Sequence, residues 1–513
     1  HPATLEQAEK CFRRALELDP QNALAHDGLA EVLTGQGEWA LGAESYARAQ
    51  ELAPSDTRRL KALLAPPIIP QSREEIDEHR RRVDEDLGEL LAADPHIPAP
   101  QMVGTPDFYR AYHGANERPF REKLAQLYLQ SCPNLAYIAP HCQAPRRVSK
   151  DRRIKIGFAS VHLRVHTIGR LNSGLIRQLD RSIFEVTMIR PEHQDDTFTR
   201  AMDASADRVL TGPNPRQIDA ARKLILAQEF DILFYPDIGM EPWSYLLGFS
   251  RLAPVQCVTW GHPITTGIPT MDYFISSEDL DLADAQGHYT ERLVRLKNLA
   301  VFYERPRMPT PAKTRAQFGL PENARLYGCP QTLFKFHPDF DEVLAEILRR
   351  DPTGVLVLLD GQRKHWNDLL LQRFRKNMPD VVGRIRFLPS LAHADYLAIN
   401  ALCETMLDPF HFGGGNTSYE ALALGVPIVT LPSQFLRGRI TLAQYRQMKV
   451  SDCIAASPQE YVELAVRLGT DKDYRNAISA KILQANGILF ENDSGVRELE
   501  EFLVQAVDKT GSR

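Results

Sequence analysis

The chain has 513 residues, more than one ordinary hydrophobic core organises, and length alone sets an expectation of roughly three domains. A formal net charge of -5, with both signs mixed along the chain, argues against a nucleic-acid binder held by phosphate contacts. No apolar run approaches a membrane span, and the N-terminus reads as a polar helix rather than a signal peptide. Seven dispersed cysteines without a CxxC pair fit reduced thiols in a cytoplasmic protein and offer no structural zinc motif.

Residues 1–66 carry a repeat. Phe12 and Tyr46, Ala15 and Ala49, Leu18 and Leu52, and Pro20 and Pro54 are each 34 residues apart. That period, with small and aromatic residues at these offsets, is the tetratricopeptide pattern, and Leu29, Ala30 and Leu33 fit the first helix of a repeat. About one and a half repeats are present. They need neighbours to bury their faces, which predicts the end of a longer array or a cap resting on the next domain.

The run Pro66-Pro67-Ile68-Ile69-Pro70 stops the last helix and opens a helical connector over 67–150. Within it, a charge-rich stretch from Ser72 to Ala93 reads as a helix with a solvated face, and a second helix spans Arg118 to Gln130. From Arg153 the pattern becomes β-rich runs alternating with helical stretches: Ile154 to Ala159, Phe184 to Ile189, Asp231 to Tyr235, Val255 to Trp260 and Tyr273 to Ser276. A proline-rich link over Pro306 to Pro311 precedes a second series at Arg325 to Cys329, Val355 to Leu359, Ile385 to Leu388, Glu404 to Leu407 and Pro427 to Leu431. Helices are expected near Asp341 to Arg350, Trp366 to Asn377 and Ser418 to Leu424. Two α/β series predict two Rossmann-like lobes, 151–310 and 311–513, facing across a cleft, with ligands at the carboxyl ends of strands.

The strongest such junction is Asp408-Pro409-Phe410-His411-Phe412-Gly413-Gly414-Gly415-Asn416-Thr417-Ser418. Three glycines let backbone approach a ligand, and Asn416, Thr417 and Ser418 are suited to open the helix that follows. A helix N-terminus after such a loop is a natural anion cradle, and Glu420 in its first turn can accept hydrogen bonds from a ribose diol. The same residues also suit a glycine turn with an ordinary helix cap.

The run GGGNTSYEALALGVPIVTLP resembles the nucleotide-binding segment of the O-GlcNAc transferase family, which includes SPINDLY-type proteins and, more distantly, the adhesin-modifying N-glucosyltransferases. Ala253-Pro254-Val255-Gln256 through Trp260-Gly261-His262-Pro263 to Met271-Asp272-Tyr273 is similar to a second family block, and Gln331 to Pro338 to the segment carrying a phosphate-binding lysine. The resemblance implies the two-lobed GT-B fold, inverting transfer and a uridine-diphosphate sugar. N-acetylglucosamine passed to protein Ser/Thr hydroxyls is the favoured reaction. UDP-glucose passed to Asn or another acceptor is the alternative, and a non-catalytic UDP-sugar sensor is a reading of another class.

The same resemblance suggests roles for individual residues. Lys335, after the strand and loop opening the second lobe, can neutralise charge on the departing diphosphate, with Gln331 beside it. Leu391, His393 and Tyr396 follow Leu388, where the family holds the uracil by backbone groups and a stacking side chain; Tyr396 equally suits a helix core. In the first lobe, His166 is the best match to a histidine proposed as catalytic base, and His162 is the reserve, since Ser160-Val161-His162 replaces the usual S-D-F. Asp237 ends a strand as a base, an acceptor-orienting carboxylate or a turn aspartate. His262 can touch sugar or acceptor, and the GHP at 261–263 leans toward the glucosyl branch. Asp279-Leu280-Asp281 has metal-binding spacing but lies in an acidic, helix-like stretch and is taken as solvated. No metal or other cofactor is expected. The partners expected are a UDP-sugar and a protein acceptor reached through the repeats, with neither nucleic acid nor membrane; oligomeric state is left open.

Overall fold

The computed structural model describes residues 2–104, 108–144, 151–212, 214–308, 310 and 313–510. They separate into two compact units: one of His1–Val83, Tyr109–Gly114 and Arg305–Leu489, the other of Asp84–Phe108, Ala115–Glu304 and Phe490–Arg513. No helix among the described residues is long and apolar enough to cross a membrane.

In the second unit, strands β1 (Ile154–Ala159), β2 (Phe184–Arg190), β3 (Arg208–Thr211), β4 (Ile232–Tyr235), β5 (Val255–Thr259), β6 (Tyr273–Ser277) and β7 (Arg292–Leu296) form a parallel sheet in the order β3-β2-β1-β4-β5-β6-β7. The central strands are apolar on both faces because helices cover both, as a parallel sheet requires. Ile156, Phe158, Val186, Met188, Ile232 and Phe234 are all buried in its core. Strand order reverses between β1 and β4, so the crevice at their carboxyl ends is the topological switch point.

The helix Ser494–Thr510 also belongs to this unit. Val496, Leu499, Leu503, Ala506 and Val507 lie on one face at helical spacing and join the core of the seven-stranded sheet. Each large side chain buried there contributes about 1.5–3 kcal/mol relative to exposure. Glu498 accepts bonds from the Asn298 backbone at 3.0 Å and its amide at 2.6 Å, and Arg497 donates to the Gln178 carbonyl at 2.7 Å. The range 311–513 for a C-terminal lobe is therefore too long, because the last helix completes the first sheet.

In the first unit, β8 (Arg325–Gly328), β9 (Gly354–Leu359), β10 (Ile385–Leu388), β11 (Thr405–Leu407) and β12 (Ile428–Val429) form a parallel sheet ordered β10-β9-β8-β11-β12. Its switch point lies between β8 and β11. The repeat helices Pro2–Leu18, Ala23–Gln36, Trp39–Leu52 and Asp56–Leu63 pack as antiparallel hairpins, with Leu29, Ala30, Leu33, Tyr46 and Ala49 buried. Gly28 is needed because a Cβ there would sit 2.2 Å from the Phe12 ring. The array rests on this lobe: Gly37, in the left-handed region at φ +98°, packs on Leu369 and Trp366, and His365 pairs with Glu38 at 2.7 Å. Buried Arg373 joins the proline linker to the lobe, donating to the Pro70 carbonyl at 2.7 Å, the Phe336 carbonyl at 2.8 Å and both Asp341 oxygens at 2.9 Å.

The connector divides between the units. Its helix Arg118–Ser131 lies in the second, whereas residues 109–114 lie in the first, where Tyr112 stacks on Phe412 with centroids 4.4 Å apart. The helix Arg73–Ala92 buries Ile76, His79, Val83, Leu87 and Leu90 at helical spacing, leaving its charges on the other faces.

Candidate active site

The two loops that leave the switch point of the five-stranded sheet meet. After β8 the chain passes Gln331 and makes a short helical turn, Leu333–Lys335; after β11 it runs through Asp408 and the glycines into the helix Asn416–Ala423. Lys335 Nζ donates to the Gly413 carbonyl at 2.7 Å and to Gln331 Oε1 at 3.0 Å, and it sits 4.9 Å from the centre of the Phe412 ring. Gln331 Nε2 donates to Thr417 Oγ1 at 2.8 Å, in the first turn of the helix. A buried carboxylate organises the turn: Asp408 accepts from the Gly414 N–H at 2.6 Å and from Thr430 Oγ1 at 2.8 Å.

The glycines have separate reasons. A Cβ on Gly413 would meet the Asp408 carboxylate at 2.7 Å, and one on Gly414 would lie 2.3 Å from Ser418 Oγ and 2.6 Å from Thr417 Oγ1. A Cβ on Gly415 would meet nothing within 4 Å among the described residues, so that side of the loop is open. The helix dipole and the Lys335 ammonium both point this pocket toward an anion. Burial lowers the Lys335 pKa to about 8 despite the nearby Asp408 carboxylate, and burial also raises Asp408 above the usual carboxylate range. An anion arriving here would restore the charge balance that burial costs the lysine.

The helix starts at Asn416, which puts Glu420 past its first turn; Glu420 is buried, and its Oε1 lies 2.6 Å from Nε2 of exposed His393, at the start of the helix His393–Leu402. The pair brings the loop after β10 to the same helix. Leu391 is half-buried in that loop.

In the other lobe, the loops after β1 and β4 are joined by Ser160, whose Oγ donates to Asp237 Oδ2 at 2.8 Å and accepts from the His162 N–H at 2.9 Å. The rings of His162 and His166 stack with centroids 4.1 Å apart and 17° between planes. His166 is the N-cap of the helix Thr167–Gln178, its Nδ1 accepting from the Ile168 N–H at 3.2 Å. Its neutral ring therefore carries the proton on Nε2. His162 Nδ1 has no hydrogen-bond partner among the described residues. Burial first, then neighbouring positive charge, lowers His162 to about 3 and His166 to about 4, so both are neutral at pH 7. His262 is buried, stacked on Phe108 at 5.3 Å and packed over Gly239, whose φ is +104°.

Residues 297–498 match the model of glycosyl transferase family 41. The chain is similar to that family over those residues. It is 32% identical over 334 residues to a probable UDP-N-acetylglucosamine–peptide N-acetylglucosaminyltransferase, SPINDLY, of Arabidopsis thaliana, covering 63% of this chain and 35% of that one. It is 28% identical over 295 residues to the UDP-glucose:protein N-beta-glucosyltransferase of Actinobacillus pleuropneumoniae serotype 7, covering 56% of this chain and 46% of that one. The chain thus spans less than half the length of these curated relatives. Among solved structures, a mutant of the Thermobaculum terrenum O-GlcNAc transferase has the same fold, with a TM-score of 0.72, 23% identity, and coverage of 99% of this chain and 95% of that one. The architecture is GT-B with an N-terminal helical region, as the motifs imply.

Within the five-stranded lobe, the structure brings Gln331, Lys335, Gly414, Gly415, Asn416, Thr417 and Glu420 to one helix, with His393 beside them. Two expected ligands turn away. Ser418 is buried, its hydroxyl 2.9 Å from Thr441 Oγ1. Tyr396 is 9% exposed, and burial raises its hydroxyl pKa; it is a core tyrosine of its helix rather than a stacking platform.

In the seven-stranded lobe, Asp237 is fully buried, and burial with nearby Glu241 raises it well above the carboxylate range. Its Oδ2 is held by Ser160, which ties it to the Ser160–His162 loop. The stretch Glu278 to Asp284 is not helical, and Asp281 is buried, accepting from Ser276 Oγ at 2.6 Å and Tyr289 Oη at 3.0 Å. It is therefore not solvated, and both oxygens are engaged by hydroxyls. In the five-stranded lobe, Tyr112 stacks on Phe412 without having been singled out by pattern, since no local spacing marks it. Although no metal is expected, His337, Asp339 and His411 bring donor atoms together in the five-stranded lobe.

Proposed function

We propose that this chain is an inverting protein glycosyltransferase that moves N-acetylglucosamine from UDP-GlcNAc to Ser/Thr hydroxyls. The observation that carries the reading is the Lys335–Gly413 contact at the start of the helix Asn416–Ala423, at the switch point of the five-stranded lobe. Lys335, Thr417 and the helix N-terminus stabilise the negative charge that builds on the departing UDP, a preorganised arrangement needing no proton transfer. Glu420 takes the ribose hydroxyls, exchanging His393 for them.

The base is in the seven-stranded lobe, and His162 suits it better than His166. An accepting nitrogen is needed, and the His166 lone pair is committed to capping a helix. His162 takes the hydroxyl proton as the oxygen attacks the anomeric carbon from the face opposite UDP. The repeats hold the protein acceptor, and the seven unpaired cysteines suit a reducing, cytoplasmic setting.

UDP-glucose transfer to Asn is the second reading, favoured by the Actinobacillus relative and by His262 after Gly261. Incubating the chain with a cell lysate and labelled UDP-GlcNAc or UDP-glucose decides between them. Labelled N-acetylglucosamine on protein, lost on β-elimination, is expected. Glucose on protein that survives β-elimination would replace this reading by the second. UDP binding without transfer of either sugar would leave a sensor in place of an enzyme.

A further inference from the structure

Beside the donor pocket, the same two loops bring three metal-type donors together. His337 follows Lys335, Asp339 lies in the turn Pro338–Phe340, and His411 precedes Phe412. Asp339 Oδ2 is 3.0 Å from His411 Nε2 and 3.4 Å from His337 Nδ1, and one donor atom from each residue lies within 4.8 Å of the others. Ligands bound at about 2.0–2.2 Å around a tetrahedral ion stand roughly 3.3 Å apart, so little adjustment is needed. The two imidazoles meet edge to face, with centroids 4.4 Å apart and 73° between planes, an arrangement that converges nitrogens instead of stacking rings.

The surroundings fix the donors. His337 is buried, and its Nδ1 accepts the Asp339 N–H at 3.2 Å, a backbone bond that an ion taking that nitrogen has to displace. His411 holds φ at +68°, a left-handed conformation uncommon outside glycine, and its ring lies against Gly114, where a Cβ would come within 2.6 Å of Nδ1. Its ring direction is thus set by backbone and by contact. The side chains of Asp339 and His411 are 27% and 25% exposed, leaving an entry for an ion and water. Arg73 Nη1 stands 3.6 Å from Asp339 on a largely exposed side chain that can swing aside.

We propose that His337, Asp339 and His411 bind a divalent transition ion of the zinc class, with water completing its shell. Two imidazoles and one carboxylate are a borderline donor set, better suited to Zn²⁺ or Co²⁺ than to oxygen-seeking Mg²⁺ or Ca²⁺. The ion is structural: it staples the loop carrying Lys335 to the loop carrying Gly413–Gly415 and so orders the diphosphate pocket. Only that last consequence rests on the proposed UDP-sugar site; ion binding stands apart from it.

The test is titration of the chelator-treated full chain with Co²⁺, followed by visible absorption and calorimetry. One equivalent should bind, with ligand-field bands of nitrogen and oxygen ligation and no thiolate charge-transfer band. His411→Asn and Asp339→Asn should each weaken binding roughly tenfold or more. Asn tolerates the left-handed conformation at 411, so that variant removes the ligand and not the fold, which circular dichroism checks in both. No stoichiometric Co²⁺ binding, or equal binding in wild type and variants, would overturn the site. Zn²⁺ should tighten UDP binding in the wild type alone; Co²⁺ binding with unchanged UDP affinity would overturn the staple. Failure to bind UDP with or without Zn²⁺, beside normal Co²⁺ binding, would count against the donor site and for the ion site.

Discussion

The imidazoles of His162 and His166 stack in parallel 4.1 Å apart, yet only His166 has a ring nitrogen tied to backbone. That bond favours His162, the reserve by motif match, over His166, the better match. His162→Ala should lower kcat by roughly 100-fold or more, the ordinary contribution of a general base, with little change in KM. His166→Asn should keep most activity, because Asn also caps a helix. Steady-state kinetics on both variants checks this, and the opposite ranking would return the role to His166.

Lys335 closes the donor pocket through Gly413. Lys335→Ala should reduce turnover roughly 100-fold or more while circular dichroism stays unchanged. Gly414→Ala should weaken UDP binding without unfolding the chain, since its Cβ would collide with Thr417 and Ser418 hydroxyls rather than with backbone. Steady-state kinetics reads the first and calorimetric titration with UDP the second; unaltered turnover in the one together with unaltered affinity in the other would remove the diphosphate from this pocket.

Glu420 is bound to His393 in the free protein. If the ribose diol takes the place of that histidine, Glu420→Gln should raise the KM for the UDP-sugar by about tenfold, corresponding to about 1.4 kcal/mol, and leave kcat nearly intact. His393→Ala should have a smaller effect. A fall in kcat without a change in KM would place Glu420 elsewhere in the cycle.

His79 is buried beside Trp39, with neither ring nitrogen hydrogen-bonded among the described residues, and burial lowers its pKa to about 3 from 6.5. The unfolded chain then binds a proton that the folded chain refuses. Its contribution is fully present above pH 6.5 and is lost as pH falls toward 3, at up to about 1.4 kcal/mol per pH unit. His79→Leu should flatten the acid limb of a urea-unfolding series between pH 6.5 and 4. An unchanged limb would assign acid sensitivity to the other buried histidines.

The central strands were readable because parallel sheets buried on both faces leave apolar runs, unbroken in Gly354–Leu359 and interrupted only by Lys155 in Ile154–Ala159. The edges β3 and β7 were not, because their exposed faces carry Arg208, Arg292 and Arg295 in place of an apolar run. The helix Thr167–Gln178 escaped notice behind a histidine cap, outside the usual Ser, Thr, Asp and Asn signal. At the site, the glycines, Lys335 and Glu420 stood out through local spacing. The burial of Tyr396 and Ser418, and the hydroxyl partners of Asp281, depend on residues distant in the chain, which periodicity does not report.

The helix Ser494–Thr510 finishes a sheet whose last strand ends at Leu296. A ribosome adding about 5–20 residues per second exposes that sheet for roughly 10–40 s before its missing wall emerges. Throughout that interval the apolar patch awaiting Val496, Leu499 and Leu503 is open to chaperones or to other nascent chains. Emergence of this helix is thus the event that completes the first α/β layer to be synthesised.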